Sequence, residues 1–247
     1  MKQKLAIVLV LMLTLGLAAC GNQSQPVTDT KSSDTAVTES SSSEGSTAQK
    51  EETDVGTGEN TKAGGKILIA YFAVAENSDV DAISSASVTE VNGEAKGLVR
   101  TVAEDIQAVT GGDLFSIQTS VEYPGDINDL IDYASEEQND NTRPELTSHI
   151  ENLDEYDTIF VGYPLWWYDL PQVMYSFFDE YDFSGKTIIP FDVHRGSRLS
   201  STPETIQELE PNATVITDGF AVSHETAASS VTDVANDVAE WLHGLGY

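Results

Sequence analysis

Residues 158–171, with the sequence TIFVGYPLWWYDLP, decide the fold class of this 247-residue chain. The run 158–163 is mostly apolar, which is typical of a strand covered on both faces of a parallel sheet. Pro171 suits the first position of a following helix. The aromatic residues Trp166, Trp167 and Tyr168 stand between the two, so the sequence predicts an aromatic loop at the carboxyl end of a buried strand.

The chain from residue 66 onward alternates in the same way. Apolar runs predict strands at 67–72, 113–117, 158–163, 187–191 and 214–222, the last of them with an interruption near Asp218 and Gly219. Periodic apolar positions predict helices at 97–109, 129–137, 171–181, 203–209 and 226–243. This alternation predicts an α/β fold with a doubly wound, five-stranded parallel sheet. Ligands of such sheets bind beyond the carboxyl ends of the strands, where the strand order reverses. The loops after the first, third and fourth strands are therefore the candidate site.

The amino-terminal segment has the features of an export signal. Lys2 and Lys4 precede an apolar run at 5–17 that is too short to span a bilayer. Leu-Ala-Ala at 17–19 then leads directly into Cys20, the only cysteine of the chain. This arrangement resembles a bacterial lipobox, which implies that residues 1–19 are a lipoprotein signal peptide and that Cys20 is lipidated, with palmitate among the acyl chains.

Residues 20–65 comprise the predicted lipidated cysteine and a linker. The segment after Cys20 is rich in Ser, Thr and Glu and contains no aromatic residue, a composition that predicts disorder. Residues 66–247 form the predicted folded domain. The expected location is the extracytoplasmic face of the cell membrane, to which the lipid anchors the protein.

Composition excludes two classes of function. The chain has 12 Lys and Arg against 41 Asp and Glu, a formal charge of −29, so a nucleic acid would be repelled and is not an expected partner. A single cysteine cannot build a clustered-cysteine zinc or iron–sulfur site, and no metal site is predicted.

Several stretches together resemble a known family. The run 163–167, YPLWW, is followed by Pro171, by YSF at 175–177 and by YDFSGKTIIPF at 181–191. These stretches resemble a flavodoxin-like group of anaerobic bacteria. The resemblance implies a sheet of order 2-1-3-4-5 and FMN bound without a covalent link, with redox chemistry carried by its isoalloxazine ring.

The loop after the third predicted strand is the expected binding site of the flavin ring. Flat side chains at this edge of the sheet suit a flat ligand, and we expect one of the two tryptophans to pack inward instead. The predicted contacts from this loop are Pro164, Leu165, Trp166, Trp167 and Tyr168.

The loop after the fourth predicted strand, residues 192–200, is expected to contribute His194, Arg195, Gly196 and Ser197. The resemblance implies glycines where Arg195 and Arg198 stand. Two interpretations of these arginines remain open. In the first, the arginines contact a ligand, by binding a phosphate or carboxylate or by stacking on a ring. In the second, they point to solvent and only reduce the local negative potential.

The loop after the first predicted strand is expected to hold the phosphate through Asn77, Ser78 and Gly97. It departs from the family, because Leu98 and Val99 stand where Asn and Thr are expected. We expect backbone N–H groups at the helix start near Gly97 to bind the phosphate, with Lys96 or Arg100 adding charge.

The resemblance leaves three functions open, and none of them needs a catalytic side chain. The first is electron transfer through FMN to an unidentified redox partner protein or small acceptor. The alternative is an NAD(P)H-dependent quinone or flavin reductase, which would consume NAD(P)H in the presence of a quinone. The third is a degenerate binding module without flavin, which would stay colourless when FMN is added.

Overall fold

The computed structural model describes residues 65–77, 88–91, 94–229 and 231–247. Cys20, the linker and Ser78 lie outside these residues, so the predictions made for them stay predictions. None of the helices within the described part is long and apolar enough to cross a membrane.

The central sheet is built from parallel strands. Its strands are β1 (Lys66–Phe72), β4 (Asp113–Ile117), β5 (Tyr156–Pro164), β6 (Thr187–His194), β7 (Thr214–Val215) and β8 (Phe220–Ser223), while β2 (Val88–Val91) and β3 (Glu94–Gly97) pair as a separate antiparallel hairpin. The order across the sheet is β4-β1-β5-β6-β7, and β8 also pairs with β6. With β7 and β8 taken as one interrupted strand, this is the predicted order 2-1-3-4-5.

Helices cover both faces of the sheet. They are α1 (Leu98–Thr110), α2 (Ile127–Asp140), α3 (Gln172–Glu180), α4 (Thr202–Leu209), α5 (His224–Ser229) and α6 (Val231–Leu245). The alternation of side chains along β1 shows the two layers, because Leu68 and Ala70 belong to the core beneath α2, α3 and α4, whereas Ile69 and Tyr71 belong to the core beneath α1, α5 and α6. The doubly wound architecture is therefore confirmed.

The sequence marks the ends of two helices that position the site. The side chain of Asp126 accepts hydrogen bonds from the backbone N–H groups of Asn128 and Asp129 at the start of α2. Gly111 ends α1 with a φ of 71°, a left-handed conformation that glycine adopts without strain. The helix α1 therefore begins beside the carboxyl end of β1, and α2 begins beside the candidate site.

Several predicted boundaries are corrected by the structure. The strand β6 runs on to His194, so Asp192 and His194 are strand residues rather than loop residues. The fifth predicted strand corresponds to β7 and β8, and the gap between them contains the predicted interruption near Asp218 and Gly219. The predicted helix 226–243 corresponds to α5 and α6. The residues Gly162 and Phe191 explain the close pairing of β5 with β6, because the Phe191 ring occupies the space where a Gly162 side chain would lie.

Candidate functional site

A cavity of about 320 Å³ opens at the carboxyl ends of β5 and β6. Its lining comes from α2, from the last residues of these strands and the loops that follow them, and from the start of α5. The lining residues are Ile127, Leu130, Ile131, Ala134, Pro164, Leu165, Trp166, Trp167, Tyr168, Val193, His194, Arg195, Ser197 and His224. This volume suits a small flat ligand or the ring part of a larger one. The cavity lies next to the point where the strand order reverses, between β1 and β5.

The aromatic loop is a tight two-residue turn. Trp166 and Asp169 exchange backbone hydrogen bonds of 3.1 and 2.9 Å, and the two residues between them, Trp167 and Tyr168, have φ values of 49° and 67°. Turns of this kind favour Asn and Gly, and a bulky residue in the left-handed region costs on the order of 1 kcal/mol. Strain of this kind is typical of functional loops, because the surrounding structure must hold it in place.

Side chains outside the turn hold it in place. The carboxylate of Asp169 accepts hydrogen bonds of 2.8 Å from the Leu170 N–H and 2.9 Å from the Tyr175 hydroxyl. The indole Nε1 of Trp167 donates a 3.0 Å hydrogen bond to the carbonyl oxygen of Ile131 on α2. The turn is therefore tied to α3 through Tyr175 and to α2 through Ile131.

The two tryptophans have different roles. Trp166 packs inward, with its ring edge-on to Tyr123 at 5.4 Å and to Phe72 at 5.8 Å. Trp167 and Tyr168 remain 47% and 67% exposed at the mouth of the cavity. The expectation that one tryptophan packs inward thus agrees with the structure, and the inward one is Trp166.

The helix α2 forms an apolar wall that the sequence analysis did not assign to the site. Its cavity residues Ile127, Leu130, Ile131 and Ala134 recur at intervals of three, one and three, which is one face of a helix. This spacing, behind the Asp126 cap, was readable in the sequence. What the sequence did not show is that this face lies against the aromatic turn.

The opposite wall is polar and contains two histidines. Nδ1 of His194 accepts a 2.9 Å hydrogen bond from the backbone N–H of Gly196. Burial, followed by the positive charge of Arg198 and the neighbouring His224, lowers the pKa of His194. The His194 ring is therefore neutral at pH 7 and carries its proton on Nε2, which makes it a hydrogen-bond donor.

The other residues of this wall are Val193, Arg195, Ser197 and His224. Ser197 and His224 are half-buried and Arg195 is exposed. Nδ1 of His224 is buried and has no hydrogen-bond partner among the residues that the structure describes. Gly196 has a φ of 121°, so it turns the chain back toward His194 but does not itself line the cavity.

A buried carboxyl group lies behind this wall. Asp192 on β6 pairs with Tyr163 on β5, is 0% exposed, and neither of its carboxyl oxygens has a hydrogen-bond partner among the described residues. Burial raises the pKa of Asp192 to about 8, although the positive charge of Arg198 acts in the opposite direction. Asp192 is therefore mostly protonated at neutral pH and adds no negative charge next to the cavity.

The predicted phosphate residues after β1 lie away from this cavity. The side chain of Asn77 is engaged with the backbone, because its Nδ2 donates to the Ala73 carbonyl at 3.0 Å and its Oδ1 accepts from the Thr119 N–H at 2.9 Å. Gly97 is the N-cap of α1, and a methyl group there would come 2.7 Å from Cβ of Ala73. Neither Asn77 nor Gly97 lines the cavity.

The charges at the start of α1 are already neutralised. Lys96 pairs with Glu104. Arg100 pairs with both Glu104 and Glu76, and each of these two Arg100 contacts is 2.9 Å long. The Glu76 carboxylate also accepts hydrogen bonds from the hydroxyls of Tyr71 and Ser116. Leu98 and Val99, the first residues of α1, are buried. The cations expected to attract a phosphate here therefore hold carboxylates instead.

Sequence comparison identifies the family. The flavodoxin model matches residues 91–241, which is more than half of the chain. The chain therefore belongs to the flavodoxin family, and the predicted resemblance is confirmed. No match was found among curated proteins.

Three solved structures illustrate the relationship. The chain is 27% identical to a candidate flavoprotein from Bacteroides uniformis, over 73% of this chain and 99% of that chain, with a TM-score of 0.55. The chain is 24% identical to a candidate flavoprotein from Bacteroides eggerthii, over 74% of this chain and 99% of that chain, with a TM-score of 0.54. The chain is 19% identical to a flavoprotein from Lactobacillus acidophilus that was solved in complex with FMN, over 66% of this chain and 95% of that chain, with a TM-score of 0.47.

Proposed function

We propose that this protein binds FMN in the cavity at the ends of β5 and β6 and transfers electrons through it. The observation that carries the proposal is the strained turn that places Trp167 and Tyr168 at the mouth of a 320 Å³ cavity beside the reversal of strand order. Family membership and the similarity to the flavoprotein candidate from Bacteroides uniformis support the same function.

The residues present fit the ring of a flavin. The apolar wall of α2 and the aromatic turn offer flat, low-polarity contacts, and the opposite wall offers hydrogen-bond donors to ring carbonyl oxygens. The hydroxyl of Ser197 on this wall supplies one such donor. A ring that is apolar on its faces and polar at one edge is complementary to this arrangement.

FMN, when bound, supplies the capacity to accept and donate electrons, and the protein supplies position and environment. The hydrogen bond from Trp167 to Ile131 fixes the turn against α2, so the ring would enter a preformed slot. The residues of α2 exclude water from one side of the slot. Tyr168 shields the mouth only partly, since it is 67% exposed, and this leaves a route for electrons to an external partner.

The proposal includes a lipid anchor at Cys20, which rests on the lipobox pattern of residues 17–20. Acyl chains on this residue would hold the domain at the extracytoplasmic face of the membrane, and the linker would give it reach. Expression of Cys20→Ser tests this part, because the variant should be released from the membrane fraction or remain unprocessed. Unchanged processing and retention would refute the anchor.

Flavin binding is tested by titrating FMN into the detergent-solubilised full chain. We expect a yellow protein whose tryptophan fluorescence falls as FMN binds, because Trp166 and Trp167 both line the cavity. Trp167→Ala should weaken FMN about tenfold, which corresponds to roughly 1.4 kcal/mol. A colourless protein with no quenching at saturating FMN would refute the proposal and favour a binding module without flavin.

Turnover separates a carrier from the alternative, a flavin or quinone reductase. The flavin-loaded chain is mixed with NADH or NADPH and a quinone, and nicotinamide absorbance is followed. A carrier consumes the nicotinamide no faster than free FMN does under the same conditions. Sustained consumption that Trp167→Ala removes would identify the reductase instead.

A further inference from the structure

Arg195, which lines the cavity, and Arg198, which follows it in the same loop without lining the cavity, differ from the other described cations. Of the Lys and Arg side chains in residues 65–77, 94–229 and 231–247, Arg195 and Arg198 are those without a hydrogen bond or ion pair to another described group. The remaining cations, Lys66, Lys96, Arg100, Arg143 and Lys186, all hold carboxylates or backbone carbonyls.

Unpaired guanidinium groups are unexpected in this protein. The chain carries 41 acidic residues against 12 basic ones, so a carboxylate partner is easily available to any cation. Asp192, the acid nearest in sequence, is buried and its pKa is raised to about 8, so it offers little charge to pair with them. The structure thus keeps positive charge uncompensated at one wall of the cavity, where a ligand can meet it.

The residues around Arg195 extend this wall with donors. His194 presents the proton on Nε2, because its Nδ1 is occupied by the Gly196 N–H. His224 contributes a second imidazole, whose buried Nδ1 has no hydrogen-bond partner in the described part of the chain. A guanidinium and two imidazoles that line one cavity are a donor set that recognises anionic oxygen atoms.

We propose that Arg195, His194 and His224 form an anion-binding site at the polar wall of the cavity. This inference rests on the proposed function, since the anion would belong to a molecule handled by the flavin site. The chemistry recognised is a phosphate or carboxylate group. It comes either from the phosphate of the bound flavin, in place of the neutralised loop after β1, or from an acidic group on a small electron acceptor.

The first experiment tests the site without flavin. The thermal midpoint of the full chain is measured in inorganic phosphate and in sodium chloride of equal ionic strength. Phosphate should raise the midpoint by about 3 °C more than chloride does, because a ligand that binds only the folded state stabilises it. Arg195→Gln should abolish this difference, and His224→Gln should reduce it.

Lys66→Gln is the matched control. It also removes one positive charge, but Lys66 starts β1 at the opposite edge of the sheet and pairs with Asp113 and Glu155. This variant should keep the phosphate effect of the unchanged chain. The site is refuted if phosphate and chloride act alike on the unchanged chain, or if Arg195→Gln keeps the difference.

The second experiment identifies the source of the anion. If the flavin phosphate is bound here, Arg195→Gln should weaken FMN about tenfold and leave riboflavin within twofold. If an acceptor is bound here, the same variant should slow reduction of a carboxylate-bearing quinone about tenfold and leave a neutral quinone unchanged. The proposal is overturned if Arg195→Gln changes neither the ratio of FMN to riboflavin affinity nor the ratio of the reduction rates of the two quinones.

Failure of the proposed function is distinguishable from failure of this inference. A chain that takes up neither FMN nor riboflavin refutes the flavin site, and the phosphate experiment then decides the anion site by itself. The opposite result is also possible: the chain binds both flavins, and phosphate stabilises Arg195→Gln as much as the unchanged chain. That result supports the proposed function and refutes the anion site.

Discussion

The loop after β1 and the loops after β5 and β6 reach the same edge of one sheet, yet their charges are arranged in opposite ways. At the start of α1, Lys96 and Arg100 are held by Glu104 and Glu76. Beside β6, Arg195 lines a cavity and forms no ion pair within the described residues. The first region uses its cations to hold the structure together, and the second leaves a cation available to a ligand.

The comparison extends to the side chains that surround each region. Leu98 and Val99 fill the space at the helix start, whereas Trp167 and Tyr168 stay exposed in a strained turn. Buried apolar residues stabilise the fold, while exposed aromatic residues in left-handed backbone cost stability. The start of α1 is therefore part of the core, whereas the aromatic turn has the features of a binding site.

The largest expected effect separates stability from binding within the aromatic turn. Trp166→Ala should lower the free energy of unfolding by about 3 kcal/mol, because it removes the ring that packs on Phe72 and Tyr123. Chemical denaturation of the full chain measures this. Trp167→Ala is the control and should cost less than about 1 kcal/mol, because that ring is 47% exposed. Equal losses in the two variants would contradict the division of roles.

The second effect is a pH dependence that arises from Asp192. Its pKa is about 8 in the folded protein, above the unfolded value of about 4, so the folded state holds a proton that the unfolded state releases between these pH values. Stability from this group therefore falls as pH rises toward 8. Asp192→Asn should flatten the stability profile between pH 5.5 and 8.5 by about 3 kcal/mol.

The matched control for this prediction is Asp113→Asn. Asp113 is exposed, and hydrogen bonds from Tyr156 and Lys66 lower its pKa, so its contribution changes only in acid, outside the tested range. Its profile from pH 5.5 to 8.5 should parallel that of the unchanged chain. A profile of Asp192→Asn that also runs parallel would mean that this carboxyl group does not titrate as described.

A smaller effect tests whether the turn is strained for function. Tyr168→Gly should raise the free energy of unfolding by roughly 0.5–1 kcal/mol, because glycine adopts the left-handed conformation without strain and the lost ring is mostly exposed. The same variant should weaken FMN binding, as followed by tryptophan fluorescence. Lower stability together with unchanged FMN affinity would remove the functional interpretation of the strain.

The smallest effect concerns the region after β1. Arg100→Gln should change the ratio of FMN to riboflavin affinity by less than twofold, because its guanidinium already holds Glu76 and Glu104. Fluorescence titration with both flavins measures this ratio. A tenfold loss specific to FMN would restore the phosphate to the start of α1 and remove the contrast between the two regions.

The sequence by itself determined the sheet and the position of the aromatic loop. Apolar runs such as 158–163 predicted the buried strands, because a strand covered on both faces carries mostly apolar side chains. The position of Trp166, Trp167 and Tyr168 directly after such a run placed them at the carboxyl edge of the sheet. The end of β6 was less accurate, because this strand continues through the polar residues Asp192 and His194. The interruption of the fifth strand near Asp218 agrees with the prediction.

Only the tertiary structure decided which predicted residues meet in one cavity. Periodicity showed the apolar face of α2, but not that Ile131 lies against Trp167. Composition showed that Arg100 and Arg195 are both rare cations in an acidic chain, but not that one is paired and the other is not. The ion pairs and the lining of the cavity depend on contacts between residues that are far apart in the chain. Local sequence patterns do not specify the distances between such residues.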